Sequence, residues 1–111
     1  MKRCAIYTRV STEEQVERYS LEAQLEVLER WAGALGYEIA DTYTDPGYSG
    51  AQEDRPGLAR LLTDAREGCF SVVLVYRLDR LARKVRLAYD LIERLEAWGV
   101  GLMSYSEPNI N

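Results

Sequence analysis

Apolar positions divide the chain into short strand-like runs and longer stretches with helical spacing. Arg3–Thr8 (RCAIYT) is β-rich and reads as a first strand. Leu21, Leu25, Leu28, Ala32 and Leu35 then recur at intervals of four, three, four and three, which places them on one stripe of an amphipathic helix. Ser20 is its expected N-cap and Gly36 its stop. Tyr37–Thr44 alternates as a second strand, and Asp45–Gly50 (DPGYSG) is dense enough in turn formers to predict a loop. Pro56 suits the first turn of a helix whose buried face is Leu58, Leu61, Leu62 and Ala65 and whose end is Gly68. Phe70–Tyr76 (FSVVLVY) is a nearly continuous apolar, β-branched run, the pattern of a central parallel strand covered on both faces. A third helix turns Leu87, Leu91, Leu95 and Trp98 inward and stops at Gly99. Gly101–Ser104 is a fourth strand, and Ser106–Asn111 is polar tail.

Strand–helix alternation with short connections implies right-handed crossovers. The expected fold is α/β, a three-layer α/β/α arrangement with a mainly parallel four-stranded sheet. Neither a repeat nor an internal boundary interrupts the chain, so residues 1–111 form one expected domain. A last strand with no helix after it suggests a fragment of something larger.

Composition changes the picture mainly by exclusion. The chain has 111 residues, of which 47% are apolar and 29% charged, enough to fill one core. It has no histidine, which removes Ser–His and Cys–His nucleophile pairs and any zinc site with imidazole ligands. Cys4 and Cys69 lack the spacing of a metal or redox motif and are expected as reduced, buried thiols, which suits a cytoplasmic protein. No apolar run reaches the roughly 18 residues of a membrane span. The N-terminus, Met1-Lys2-Arg3, leads straight into a strand without a signal-peptide pattern. A net charge of −4 argues against tight nonspecific nucleic-acid binding by this chain alone, but leaves room for a local cationic pocket.

In open α/β sheets the ligand site lies beyond the carboxyl ends of the strands. Three polar clusters fall there: Arg9-Val10-Ser11-Thr12 with Gln15, Asp45 with Ser49, and Asp79-Arg80-Leu81-Ala82-Arg83. Arg9 and Ser11 are two apart in extended chain and point to the same side. Arg80 and Arg83, three apart at a helix start, are expected as neighbours on one face. A serine hydroxyl ringed by three guanidiniums is poor equipment for amide hydrolysis. It suits attack on a phosphodiester, whose highly anionic transition state forked, permanently charged arginines stabilise.

Each cluster also has a plainer reading. Ser11 alone reads as an N-cap for Thr12-Glu13-Glu14. Asp79 with Arg80 or Arg83 reads as a helix-start ion pair. Asp45, Gly47 and Gly50 read as turn formers, Gln15 and Gln24 as solvated or capping, and the tyrosines as core. Co-location of the three clusters is what raises the chemical reading above these.

The strings YTRVSTEEQ (Tyr7–Gln15), SLEAQ (Ser20–Gln24), DPGYSG (Asp45–Gly50), RPGL (Arg55–Leu58) and YRLDRLAR (Tyr76–Arg83) together resemble the catalytic domain of the serine recombinases, the resolvase, invertase and large phage-integrase families. The likeness covers nearly the whole chain, and the residues between Gln15 and Ser20 look more like the large serine integrases and transposon recombinases. It implies that Ser11 is the nucleophile, joining to the 5′ phosphate of the cleaved strand and releasing a 3′ hydroxyl. It implies that Arg9, Arg80 and Arg83 bind the scissile phosphate, and that Asp79 orients them or takes part in proton transfer. Gln15, Gln24, Asp45, Ser49 and Arg55 would form the surrounding polar shell. Because the phosphoserine keeps the phosphodiester energy, no cofactor or metal is expected, in line with the lack of a Gly-x4-Gly-Lys loop.

The expected partner is DNA, bound site-specifically by the full-length protein as a homodimer or homotetramer, while this chain alone would be a monomer or weak dimer. Family members continue into a long helix and DNA-binding domains, and without them recombination by this chain is not expected. Ala82 stands where many relatives carry Ser or Gly, and Lys84 where an acid is frequent; neither is expected to disable the site. The alternative reading is a non-catalytic oligomerisation or regulatory module derived from the same family. A flavodoxin-like or receiver-like phosphate binder ranks last, since it needs an acidic pair or a Gly-rich loop.

Overall fold

A computed structural model describes residues 2–10, 21–46, 55–82 and 84–107. The elements run β1 (Arg3–Val10), α1 (Leu21–Leu35), β2 (Glu38–Pro46), α2 (Pro56–Arg66), β3 (Val72–Val75), α3 (Leu78–Leu81), α4 (Val85–Ala97) and β4 (Gly101–Ser104). Among the described residues the strands form one four-stranded sheet in the order β2-β1-β3-β4, and every neighbouring pair is parallel. The expected α/β sandwich is therefore present, with β1 and β3 at its centre.

Alternation along the strands sorts the core into two layers. Ala5 and Tyr7 of β1 and Val73 and Val75 of β3 face α2, α3 and α4, where Leu58, Leu61, Leu81, Leu91 and Leu95 complete the larger cluster. Cys4, Ile6, Val72 and Leu74 face the other way, onto Leu28 and Ala32 of α1. The β1–β2 register shifts between Cys4 and Ala5, where Ala40 is the extra residue on β2. The bulge aligns Tyr43 with Tyr7 and Asp45 with Arg9, so these four side chains share one face.

Several boundaries differ from the sequence reading. Strand β1 continues two residues past Thr8, and β2 runs through Asp45 and Pro46, so Asp45 is the end of a strand and not the start of a turn. Both extensions come from the ladder that β1 and β2 sustain to Val10 and Pro46. Strand β3 is shorter than FSVVLVY, because the regular ladder to its neighbours covers only Val72–Val75. The helical stripe of α1 is also narrower than expected. Leu28 and Ala32 are buried, Leu35 is 37% exposed, and Gln24 takes a buried position in place of a leucine. Gly36 closes α1 at φ +77°, a left-handed conformation that glycine adopts without strain. Cys4 is buried as expected, but Cys69, just beyond α2, is only half-buried; both are free thiols. Among the described residues, no helix is long and apolar enough to cross a membrane.

Candidate active site

The carboxyl end of the sheet gathers charge from separate stretches of chain. Arg9 and Asp45 are the next-to-last residues of β1 and β2, Arg55 directly precedes α2, and Asp79 and Arg80 lie on α3, two residues after β3. Arg9, Arg55 and Arg80 are each fully buried, as is Asp45 at 1% exposure. Buried charge is costly unless paired and hydrogen-bonded, so each of these groups needs a local reason to be there.

Asp45 has the clearest one. Its Oδ1 accepts the Gly57 amide at 2.7 Å, and its Oδ2 accepts the Leu58 amide at 2.9 Å and the Tyr7 hydroxyl at 2.7 Å. The carboxylate thus caps α2 from a neighbouring strand, while the residue at the cap position, Arg55, makes no side-chain cap bond. Glycine at 57 permits this approach, since a Cβ there would lie 2.6 Å from the Thr44 carbonyl and 2.9 Å from both Asp45 oxygens. Pro56 supplies the first helical residue and holds Arg55 extended (φ −71°, ψ 133°).

The arginines hold α3. Arg9 Nε donates to the Arg80 carbonyl at 3.1 Å and its Nη2 to the Asp79 carbonyl at 2.6 Å. Arg55 Nη1 reaches the same Arg80 carbonyl at 3.4 Å, and its Nη2 donates to the Leu81 carbonyl. Two guanidiniums therefore meet the buried carbonyl end of a four-residue helix, where positive charge also complements the peptide dipoles. Arg80 Nη1 returns a bond to the Arg9 carbonyl at 3.4 Å, and Gln24 Nε2 donates to that carbonyl at 3.2 Å. The backbone two residues before Ser11 is thereby fixed from both sheet faces. Asp79 stands between two cations, with Oδ2 3.0 Å from Arg77 Nη2 and Oδ1 3.4 Å from Arg80 Nε.

Burial dominates the ionisation behaviour. It pushes the Tyr7 hydroxyl far above the usual tyrosine range; Arg55 opposes the shift and the bond to Asp45 adds to it. Burial likewise draws Arg55 down from the usual arginine value, against the opposing effects of Tyr7 and Asp45. The Arg55 guanidinium lies 5.6 Å from the centre of the Tyr7 ring.

Of the residues singled out from sequence, Arg9, Gln24, Asp45, Arg55, Asp79 and Arg80 come together in this way. Ser11, Gln15, Ser49 and Arg83 lie outside the described residues. One expectation is corrected. Gln24 is neither solvated nor a cap: it is 1% exposed and bonded to β1. Helix α3 itself ends at Leu81, and Ala82 is extended (φ −158°, ψ 138°). The ion pair of Asp79 with Arg80 is present, and Asp45 does structural work for α2 beyond shaping a turn. Sequence reading passed over Tyr7, although its place two residues before Arg9 on one strand put it on the same face. Arg77 was passed over too.

Electrostatically the site is a buried cationic cluster. Among the described residues it holds three buried guanidiniums against one buried carboxylate, in a chain of net charge −4. Such a cluster favours an anion arriving beside it, and interactions there are stronger than at an exposed surface.

The sequence pattern of the family described as "Resolvase, N terminal domain" matches residues 4–111. A putative DNA recombinase of Bacillus subtilis is 44% identical over 82 residues, covering 73% of this chain and 16% of the relative. A probable DNA-invertase of Sinorhizobium fredii is 43% identical over 102 residues, 92% of this chain and 29% of its own length. Among solved structures, the N-terminal catalytic domain of TP901-1 integrase superposes with a TM-score of 0.89 at 41% identity, covering 96% of this chain and 79% of that one. A resolvase family site-specific recombinase from Streptococcus pneumoniae gives a TM-score of 0.85 at 35% identity, with 97% and 74% covered. The chain thus spans 16% and 29% of the two curated relatives, but most of the solved domains. With its parallel sheet, its arginine cluster and this match, the chain belongs to the resolvase N-terminal domain family, the catalytic domains of the serine recombinases.

Proposed function

We propose that this chain is the catalytic domain of a longer site-specific DNA recombinase that cuts and rejoins DNA through a 5′-phosphoserine at Ser11. The observation that carries this reading is the convergence of buried Arg9, Arg55 and Arg80 at the strand end that leads into Ser11. The names of the relatives, among them recombinase, invertase and resolvase, point the same way.

In the proposed step the Ser11 hydroxyl oxygen attacks the scissile phosphorus. The new bond is serine O–P, and the bond to the 3′ oxygen breaks. The serine proton leaves as the oxygen bonds, and the departing 3′ oxygen takes one up as a hydroxyl. Arginines contribute permanent charge to the equatorial oxygens; Arg80 and Arg83 are assigned this task together with Arg9. Asp79, already between Arg77 and Arg80, sets the orientation of the Arg80 guanidinium. Gln24, Asp45 and Arg55 support the site through the strand end and α3, and Gln15 and Ser49 complete the polar shell. Rejoining is the same step reversed on a new 3′ hydroxyl, without a cofactor or metal. DNA and further copies of the full-length protein are the proposed partners, and the free thiols suit a reducing cytoplasm. This chain alone is proposed to be a monomer or weak dimer.

The test uses the full-length protein with a nicked recombination-site DNA. A serine-linked adduct should form and map by peptide mass to Ser11. Ser11→Ala should bind the same DNA and yield none; an undiminished adduct in that variant overturns the proposal.

A further inference from the structure

The four residues of α3 carry Asp79 and Arg80, and a helix this short does not hold itself. Its carbonyl end is clamped by Arg9 and Arg55. What holds its amide end comes from the opposite end of the sequence. Glu107 Oε1 accepts the Leu78 amide at 2.7 Å and the Ser104 hydroxyl at 3.0 Å. Arg77, at the cap position, makes no side-chain cap bond.

Glu107 is delivered by the sheet. Past the end of β4 the chain keeps pairing alongside β3, with the Tyr105 amide 2.9 Å from the Val75 carbonyl and the Ser106 amide 3.0 Å from the Tyr76 carbonyl. The rings of Tyr76 and Tyr105 stack at 5.8 Å. Ser104, 1% exposed, grips the same carboxylate oxygen from below. Each step of this extended pairing carries the two strands together toward α3, so the carboxylate falls where the first helical amide emerges. Its negative charge at the amide end and the two guanidiniums at the carbonyl end both follow the direction of the peptide dipoles.

We infer that Glu107 is a positioning residue for the Asp79–Arg80 segment, fixing α3 from its amide end while Arg9 and Arg55 fix it from the other. This rests on the proposed function for its catalytic consequence, but not for its structural one. It ties the chain that leaves β4 to the placement of the arginine that faces the strand end of Ser11.

Two measurements on Glu107→Ala and Glu107→Gln test it. In this chain, amide hydrogen exchange at Leu78–Leu81 should accelerate about tenfold in Glu107→Ala, with β1 and β3 protected as in the wild type. Glu107→Gln keeps an acceptor oxygen and should stay within threefold of wild type. Equal exchange in Glu107→Ala and wild type overturns the inference, as does failure of Glu107→Gln to restore protection. In the full-length protein, single-turnover adduct formation at saturating DNA should fall at least tenfold in Glu107→Ala, recover in Glu107→Gln, and leave DNA affinity unchanged. A wild-type rate in Glu107→Ala overturns the positioning role. Absence of any adduct from the wild-type protein overturns the proposed function instead, and the exchange result then stands by itself.

Discussion

Arg9 and Arg80 exchange hydrogen bonds across 71 positions of sequence: Arg9 Nε donates to the Arg80 carbonyl at 3.1 Å, and Arg80 Nη1 donates to the Arg9 carbonyl at 3.4 Å. Each guanidinium thus fixes the backbone that presents the other. The pair joins the end of β1 to α3, so the place of one cationic group is set by the fold of the other.

Arg9→Lys tests that reciprocity. A lysine keeps the charge but cannot present Nε and Nη2 to two carbonyls in one plane. The part-buried Asp79 carbonyl then loses its Arg9 donor, or the Arg80 carbonyl keeps only the longer bond from Arg55, at a cost of about 1–3 kcal/mol. Urea unfolding of this chain should show that loss, and the adduct rate in the full-length protein should fall by about a hundredfold or more. Unchanged stability and rate together would mean that charge alone matters at this position.

Gly57→Ala tests the close contact under α2. The added methyl would meet the Thr44 carbonyl at 2.6 Å and both Asp45 oxygens at 2.9 Å, and backbone on the strand cannot swing away as a side chain could. Either α2 shifts outward or Asp45 leaves its two amides. The gain in helix propensity from glycine to alanine, at most about 1 kcal/mol, is outweighed. The expected net loss is about 2–4 kcal/mol, read from the urea midpoint at constant slope. A stabilised variant would refute the crowding.

Tyr7 predicts an alkaline limit. Its hydroxyl is held protonated in the folded chain well above the ordinary value of about 10, chiefly by burial. Folding therefore favours the protonated form. Below pH 10 both states hold the proton and stability from this group is constant. Above pH 10 the unfolded chain releases it while the folded chain does not, so stability falls as pH rises. The slope approaches about 1.4 kcal/mol per pH unit for one group. Tyr7→Phe starts lower by about 1 kcal/mol for the lost bond to Asp45, and loses that share of the slope. Parallel stability curves for the two proteins from pH 10 to 11.5 would refute the assignment.

The sequence showed the fold through its periodicities, because hydrophobic alternation and the stops at Gly36 and Gly99 are local signals. It showed Arg9, Arg80, Asp79 and Asp45 as candidates through clustering at strand ends, and the family resemblance added Gln24 and Arg55. What it could not show was the direction of their bonds. That Arg55 reaches the carbonyls of Arg80 and Leu81 depends on how α2 packs beside α3, and no spacing along the chain encodes it. The bulge at Ala40 is of the same kind: it decides which face Asp45 takes, yet IADTYTD alternates no differently with or without it. The switch from helix to extended chain at Ala82 is likewise marked by neither glycine nor proline in LDRLAR.

Arg55→Met separates a catalytic arginine cluster from a merely structural one. Methionine fills similar space without a charge, so the variant sheds the desolvation cost that draws Arg55 down from its usual ionisation range. Against that, the Arg80 and Leu81 carbonyls lose a donor, and Asp45 loses a nearby cation. These effects oppose each other, and the net change in stability should stay within about 2 kcal/mol. No such cancellation applies to a phosphodiester transition state. Its added negative charge gains from every nearby cation, and removing one should cost about a hundredfold or more in adduct formation. Guanidinium hydrochloride melts of this chain and single-turnover cleavage by the full-length protein give the two numbers. A folded Arg55→Met protein that cleaves at the wild-type rate would reduce Arg55 to a strut for α3.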